Sequence, residues 1–545
     1  MTKLRTLTLL LLASTLVSAR NPKIAQDLDG ADPSSTVDVI VQFKTPPTKD
    51  DLKQLGPYGQ MKKIFDGINA VLIPLPVSTL AAIADNPNIT FMSPDRLLTV
   101  SGTTLTPDYK LPAVNADLAQ KYGWNGTGIG VAIIDSGIQD KPDLHNAKGY
   151  NVVYAENFRQ SGSAVDVYGH GSHVAGIVAG NGGQSQGLYA GIAPNANLIN
   201  LLVLDKTGAG TDSAVISAIQ RAVQLKSQYN IRVINLSLGR PVFESYTLDP
   251  LCKAVEAAWK AGIVVVVAAG NEGRNNSANT SGYATITAPG NDPYVITVGA
   301  MKTESTAARS DDYVASYSSK GPTLFDHIVK PDIVAPGNRI VSILGNNTIA
   351  QQFPANLVSG AYFILSGTSM AAPMVSGAAA LLLQQNPNLT PDQVKARLMK
   401  TAYKSFPATS IATDPTTGSI YTSQYDIFTI GAGYLDIWAA LNSADVATAG
   451  KAALSPTAQY NATTGKVSVV LGTNIVWGDS GIWGSNVVWG TNVLLSGTNV
   501  VWGTNVVWGT SQTAGFNVVW GTNGVWGTSS SPATESTKVA INGEN

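Results

Sequence analysis

The run Gly367-Thr368-Ser369-Met370-Ala371-Ala372-Pro373-Met374-Val375-Ser376-Gly377 places one small hydroxyl, that of Ser369, where a helix begins. The glycine admits tight backbone geometry and the alanines allow close packing. The apolar run from Met374 to Leu383 reads as a buried helix whose free amide groups point back toward the serine. Such an end suits an oxygen that is gaining negative charge. A serine hydroxyl alone is a weak nucleophile, so this chemistry also requires a base, an acid that orients it, and oxyanion donors.

Among 545 residues there are four histidines, His145, His170, His173 and His327. His170 opens His170-Gly171-Ser172-His173-Val174-Ala175-Gly176, where small residues let a helix lie against a core and leave the first imidazole at its exposed start. Two histidines at this spacing could instead ligate a metal, but no nearby Glu or Cys completes a ligand set. His170 is the expected general base, and His173 a structural or near-site histidine. The acid is expected at Asp135, where the apolar run Gly130-Val131-Ala132-Ile133-Ile134-Asp135 reads as a central parallel strand delivering a carboxylate to its carboxyl edge. A lone buried carboxylate is costly, and pairing with His170 would offset that and fix the imidazole tautomer. The alternative is a solvated aspartate capping the Ser136-Gly137 turn. Asn271 ends a second buried run, Gly262 to Gly270, and can donate to an oxyanion together with the Ser369 backbone N–H. Asn271-Glu272-Gly273 is also good turn chemistry, and the two readings are compatible.

Together these motifs resemble the subtilisin-like serine peptidases, or subtilases. Asp135-Ser136-Gly137 is similar to the family's acid motif, His170-Gly171-Ser172-His173 to its His-Gly-Thr-His, the Ser369 run to Gly-Thr-Ser-Met-Ala-x-Pro, and Asn271 to its oxyanion asparagine. Ser172 stands where the family usually has threonine. The related sedolisins use a glutamate base, which leaves the His170 motif unexplained. The resemblance covers about residues 110 to 445 and implies hydrolysis of peptide bonds through an acyl-enzyme, with no cofactor needed for the chemistry. It also implies a groove in which substrate adds as a strand. Ser237, Leu238 and Gly239 would line one side of the primary pocket, Ala268, Ala269 and Gly270 the other, and Gly208, Ala209 and Gly210 would flank the incoming chain. These segments carry no acid that would select a basic side chain, which implies broad or apolar specificity. Asp143 is similar to the family's calcium aspartate, but its spacing from Asp135 is one residue short and the loop Asn181 to Gly187 departs from the family's pattern. Structural calcium remains compatible with the sequence, and no metal ligand is assigned.

The start of the chain carries Lys3 and Arg5, then apolar Leu7 to Val17, then Val17-Ser18-Ala19, so residues 1–19 read as a secretory signal peptide. This places the protein outside the cell, secreted or associated with the cell surface. The single cysteine, Cys252, excludes an intramolecular disulfide, and a net charge of −1 argues against a nucleic-acid partner. Strand and helix patterns over residues 36–100 resemble the family's ferredoxin-like α+β inhibitory propeptide; a permanent accessory domain is the alternative. The stretch from Ser93 to Lys110 is expected to contain the cut. Residues 110–450 alternate strand and helix, an α/β pattern with a mainly parallel sheet flanked by helices. Residues 456–528 repeat Asn-x-Val-Trp-Gly around Trp477, Trp483, Trp489, Trp502, Trp508, Trp520 and Trp526. The dominant six-residue period keeps equivalent side chains on one strand face, so a β-rich repeat module is expected, against a sticky disordered tail as the alternative. Exposed rings there would contact carbohydrate, cell envelope or another protein. Residues 529–545 are expected to be disordered. Two functions follow: a secreted serine endopeptidase of broad specificity that processes its own precursor, with protein substrates and its own propeptide as partners, or a catalytically silent extracellular binding or adhesion protein that uses the repeat. The filled catalytic positions weigh against the second.

Overall fold

Alternating apolar residues early in the chain and continuous apolar runs later build two kinds of sheet. The computed structural model describes residues 21–28, 31–95, 105–147, 149–159, 162–277, 279–345, 347–414, 417–461, 466–471, 476, 493–496, 499–502 and 539–544. It divides into two compact units, Met1–Thr103 and Thr104–Asn545.

In the first unit, strands β1 (Thr36–Phe43), β2 (Lys63–Phe65), β3 (Ala70–Pro76) and β4 (Ile89–Pro94) and helices α1 (Lys49–Leu55) and α2 (Leu80–Ala84) follow one another as β1-α1-β2-β3-α2-β4. The sheet order is β2-β3-β1-β4, with every neighbouring pair antiparallel. Period-two alternation puts Val39, Val41 and Phe43 of β1 into one core with Val71, Ile73, Leu75, Leu80 and Ile83. Thr48 starts α1 through a reciprocal capping box with Asp51. The unit reaches further back than the expected boundary at residue 36. Ala25 and Leu28 are buried in the same core, and Ala25 N–H donates to the Met92 carbonyl at 2.9 Å.

The second unit is built on strands that are apolar on both faces, as a covered parallel sheet requires. They are β5 (Gly130–Asp135), β6 (Val152–Asn157), β7 (Asn197–Leu202), β8 (Ile231–Leu236), β9 (Val264–Ala268), β10 (Ile296–Lys302), β11 (Tyr313–Val314) and β12 (Ile333–Pro336). Their order is β11-β10-β9-β8-β5-β7-β6, with β12 also beside β10. All pairings are parallel except β10 with β11. Helix α3 (His170–Ala179) lies beside α6 (Thr368–Gln385), while α4 (Asp212–Tyr229) lies beside α5 (Pro250–Lys260). Parallel strands present their carboxyl ends along one edge. That edge runs from the segment after β7, through Asp135 at the end of β5 and the segment after β8, to the segment after β9. No helix among the described residues is long and apolar enough to cross a membrane.

The expected domain end at residue 450 is too early. Ala453, Ala458, Val467, Val469 and Val476 form a buried cluster with Val329 and Phe428. Strands Thr457–Asn461, Lys466–Val470, Val493–Ser496 and Asn499–Trp502 make a four-stranded antiparallel sheet, so the described part of the repeat region is β-structure. Trp477, Trp483, Trp489, Trp508, Trp520 and Trp526 lie outside the described residues. The expectation of disorder over residues 529–545 fails for 539–544. There Val539 and Ile541 are buried in the core of the second unit and Glu544 is 2% exposed. The remaining residues of that stretch lie outside the described residues. Both boundaries slipped because the deciding contacts join positions far apart in sequence.

One such contact sits where β10 and β12 begin. Lys330, Asp332 and Lys395 are fully buried together, with Lys330 Nζ 2.7 Å and Lys395 Nζ 3.2 Å from the Asp332 carboxylate. Ser455 Oγ donates to the same carboxylate, and Lys395 also donates to the Pro293 carbonyl at 2.8 Å. One carboxylate thus holds two buried cations and ties residue 455 to the sheet. Asp332→Ala leaves both ammonium groups without their charge partner and is expected to destabilise the second unit by about 3–5 kcal/mol, read as a lowered denaturant midpoint.

Candidate active site

The site forms where buried strand ends leave polar groups that must find partners. Asp135 closes β5 with 0% exposure, and its Oδ1 accepts from Ser136 N–H at 2.7 Å and from His170 Nδ1–H at 2.8 Å. Because the carboxylate only accepts, the proton sits on Nδ1 and Nε2 carries the lone pair. His170 stands at the first position of α3, its side chain 15% exposed. Burial disfavours its charged form, but the charge of Asp135, the hydrogen bond to it and the charge of Asp166 outweigh burial. His170 therefore titrates above the ordinary histidine value.

His173, one turn on, is buried, and burial pushes its imidazole down to about 3. Its Nε2 lies 3.0 Å from the Phe363 carbonyl and 3.2 Å from that of Ile340. Carbonyls only accept, so His173 is a neutral donor in the core and not a metal ligand.

What aims His170 is a residue that the sequence reading missed. Asp166 is fully buried; its Oδ1 accepts from Ser136 Oγ at 2.9 Å, Tyr168 N–H at 3.0 Å and Gly169 N–H at 2.7 Å. Its Oδ2 accepts from Ser172 N–H at 2.8 Å and Ser172 Oγ at 2.7 Å. Ser136 Oγ in turn accepts from Gly171 N–H at 2.8 Å. One carboxylate therefore joins the turn after β5 to the first turn of α3. Burial raises its pKa despite these donors. Ser172 needs only its hydroxyl for this, so serine serves where the family usually has threonine. The signal available in the sequence was Asp166-Val167-Tyr168-Gly169, an aspartate able to accept from the backbone two and three residues on.

Ser369 occupies the first turn of α6 behind Gly367, whose φ is +142°. A Cβ on Gly367 would stand 3.1 Å from Asn271 Nδ2, so glycine is needed both for its φ and for space. Pro373 lies inside α6 and has no N–H, which frees the Ser369 carbonyl four residues earlier. Ser237 Oγ donates to that carbonyl at 2.7 Å. The Ser369 hydroxyl donates to the Ser237 carbonyl at 3.1 Å, and no hydrogen bond between Ser369 and His170 occurs among the described residues. Asn271 accepts at Oδ1 from Thr368 N–H at 2.9 Å and Thr368 Oγ1 at 3.1 Å, which leaves its NH2 end as the donor.

The segments expected to line the groove fall along the same edge in two different ways. Leu236 of β8 pairs in register with Val267 of β9, which sets Ser237, Leu238 and Gly239 beside Ala268, Ala269 and Gly270. Ala268 and Ala269 are buried, so Gly270 supplies the accessible part of that side. Both sides close on Thr287, which sequence reasoning also missed. A Cβ on Gly239 would stand 2.6 Å from its Oγ1, and one on Gly270 2.8 Å from its Cγ2. On the other side of Asp135, Gly208, Ala209 and Gly210 leave a turn that starts at Asp205. Asp205 Oδ1 accepts from Ala209 N–H at 3.0 Å, and Gly208 has φ +80° beside the Tyr168 ring.

The Asp143 carboxylate bonds to protein donors: its Oδ1 accepts from Gln184 N–H at 2.9 Å and its Oδ2 from the Tyr362 hydroxyl. Among the described residues, no group of three acidic, histidine or cysteine side chains is arranged to hold a metal ion.

A family model for the subtilases, peptidase S8, matches residues 126–433. The chain is 44% identical over 279 residues to serine protease AprX of Bacillus subtilis (strain 168), covering 50% of this chain and 61% of that one. It is 38% identical over 298 residues to subtilisin DY of Bacillus licheniformis, covering 54% and 92%. Among solved structures, sphericase is similar at 28% identity with a TM-score of 0.44, covering 57% of this chain and 92% of that one. The chain belongs to the subtilase family, and with it to the subtilisin-like class of serine endopeptidases.

Asp166→Ala leaves several buried backbone and hydroxyl donors without an acceptor. It is expected to cost about 3 kcal/mol or more of stability, checked by a thermal or denaturant midpoint.

Proposed function

We propose that the protein is a secreted serine endopeptidase of broad specificity in which Ser369 attacks, His170 moves the proton, Asp135 holds the imidazole, and Asn271 with the Ser369 N–H stabilises the oxyanion. The observation that carries this reading is the 2.8 Å contact of His170 Nδ1 with buried Asp135, which leaves Nε2 unprotonated toward the groove. The required first movement turns the Ser369 hydroxyl from the Ser237 carbonyl toward Nε2. Its proton passes to Nε2 as Oγ bonds to the substrate carbonyl carbon, and the carbonyl electron pair moves onto oxygen. Asn271 Nδ2–H and the free amide at the start of α6 take that charge; loss of one such donor typically costs about 10²–10³ in rate. Collapse breaks the C–N bond with the His170 proton going to the leaving amine, and water then releases the acid by the same steps. No metal is needed in any of them.

The amino-terminal unit is assigned as an inhibitory chaperone removed on maturation. Its strand order supports a small independent fold, and a large parallel sheet benefits from help in forming distant contacts. Residues 105–110 already belong to the second unit. The Thr106 carbonyl accepts from Tyr189 at 2.9 Å, and Lys110 is buried on Asp108 at 2.8 Å. These contacts support a cut in the earlier part of the stretch from Ser93 to Lys110, before Thr106. Export by residues 1–19, which lie outside the described residues, and contact with carbohydrate or cell envelope through the Trp-Gly repeat complete the proposal.

Mature protein treated with a fluorophosphonate is expected to carry the label on Ser369 and to lose its hydrolysis of casein. Ser369→Ala, expressed without other proteases, is expected to accumulate the uncut precursor. Absence of labelling and hydrolysis in mature wild type overturns the peptidase assignment, and equal processing of wild type and Ser369→Ala overturns self-cleavage.

A further inference from the structure

The segment Val539–Glu544 comes from far along the chain and bonds to Arg274, three residues after Asn271, and to Ser366, three residues before Ser369. Glu544 Oε1 accepts from Arg274 Nη2 at 2.8 Å and from Ser316 N–H at 2.7 Å, and Ser316 Oγ donates to it as well. Arg274 is itself 6% exposed, and its other nitrogens donate to Asp414 and Ser316, both at 2.8 Å. Arg274 follows Asn271 by three residues, and between them Gly273 N–H donates to the Tyr317 carbonyl at 2.8 Å. On the other side, the Ala540 carbonyl accepts from Ser366 N–H at 2.9 Å, one residue before Gly367. Glu544 and Asn338 exchange two further bonds, Glu544 N–H to Asn338 Oδ1 and Asn338 Nδ2 to the Glu544 carbonyl, each 2.8 Å.

These contacts close a ring. Asn271 is bonded to Thr368; Thr368 continues back to Ser366; Ser366 is held by Ala540; Ala540 continues to Glu544; and Glu544 holds Arg274, which leads back to Asn271. Every link is a short stretch of chain or a hydrogen bond. Of the two donors assigned to the oxyanion, Asn271 is a member of this ring and the Ser369 N–H follows ring member Thr368 by one residue, and donors of that kind act through fixed placement. Gly543 has φ +59°, and a Cβ there would stand 2.4 Å from Ser366 Oγ, so the segment fits its seat closely.

We propose that Val539–Glu544 is a positioning element of the active site, with Glu544 as its positioning residue, setting the distance between Asn271 Nδ2 and the Ser369 N–H. The inference rests on the peptidase assignment. Removing the Glu544 charge loosens the Asn271 loop and the turn that carries Ser369, which fine placement of the oxyanion donors feels more than the Ser237 side of the groove does, so turnover falls more than substrate affinity.

The test uses the full-length chain after maturation and a chromogenic peptide substrate. Glu544→Gln is expected to lower kcat about tenfold with KM within twofold of wild type and the thermal midpoint little changed. Ile541→Asp is expected to expel the segment and lower kcat at least as far. Adding the synthetic peptide Val539–Asn545 is expected to restore its kcat saturably, while the same peptide with glutamine at position 544 does not. Wild-type kcat in both variants, or lost kcat with a lowered midpoint and no recovery on adding peptide, overturns the inference and leaves the peptidase assignment intact. Failure of the wild type itself to hydrolyse substrate and to react with a fluorophosphonate overturns that assignment and the inference with it.

Discussion

The structure turns on one carboxylate that has no access to water. Asp135 ends a strand buried on both faces, and a lone charge there is untenable without a partner that both donates a hydrogen bond and attracts it electrostatically. His170 meets that need, and the requirement runs in both directions. The imidazole donates to Oδ1 of the carboxylate, and the carboxylate fixes which ring nitrogen is protonated and raises the basicity of the other. For the pair to meet, α3 must begin close above the end of β5. That closeness explains the small residues at the contact: a Cβ on Gly171 would stand 2.2 Å from the Gly137 carbonyl. Asp166 then holds the two elements together from below, with Ser136 and Ser172 as intermediaries.

The nucleophile end obeys a second constraint, set by backbone bonding. A helix start leaves N–H groups free, and here a proline in the second turn also frees a carbonyl. Ser237 takes up that carbonyl, and Asn271 takes up the N–H of Thr368. The helix that carries Ser369 is thereby fastened to the segments after β8 and β9, the same two segments proposed to flank the primary pocket. Ser369 and the proposed pocket walls thus share hydrogen bonds.

The sequence made the elements of this edge legible because each is announced locally. Asp135 follows an unbroken apolar run, His170 and Ser369 each sit before small-residue helices, and parallel strands bring all of them to one edge. What stayed hidden depends on partners distant in sequence. Thr287 closes the pocket from beyond the strands that flank it, and Glu544 answers Arg274 across most of the second unit. The same holds at the base of the sheet, where Ser455 joins Asp332 and carries the unit past its expected end. The segment Gly208–Gly210 was placed beside the incoming chain from resemblance alone, and its turn depends on the Asp205 carboxylate. Residues 539–544 looked like tail because so short a segment shows no periodicity, although Val539, Ile541 and Glu544 are all buried.

The central claim is that buried Asp135 sets the protonation of His170. It is tested most directly by nuclear magnetic resonance of protein labelled with nitrogen-15 in its four histidines. The account predicts that the His170 resonance, assigned by substitution, shows a proton on Nδ1, titrates above the ordinary histidine value of about 6.5, and moves downward in Asp135→Asn. A His170 that titrates at or below the ordinary value, and is indifferent to Asp135→Asn, would contradict it.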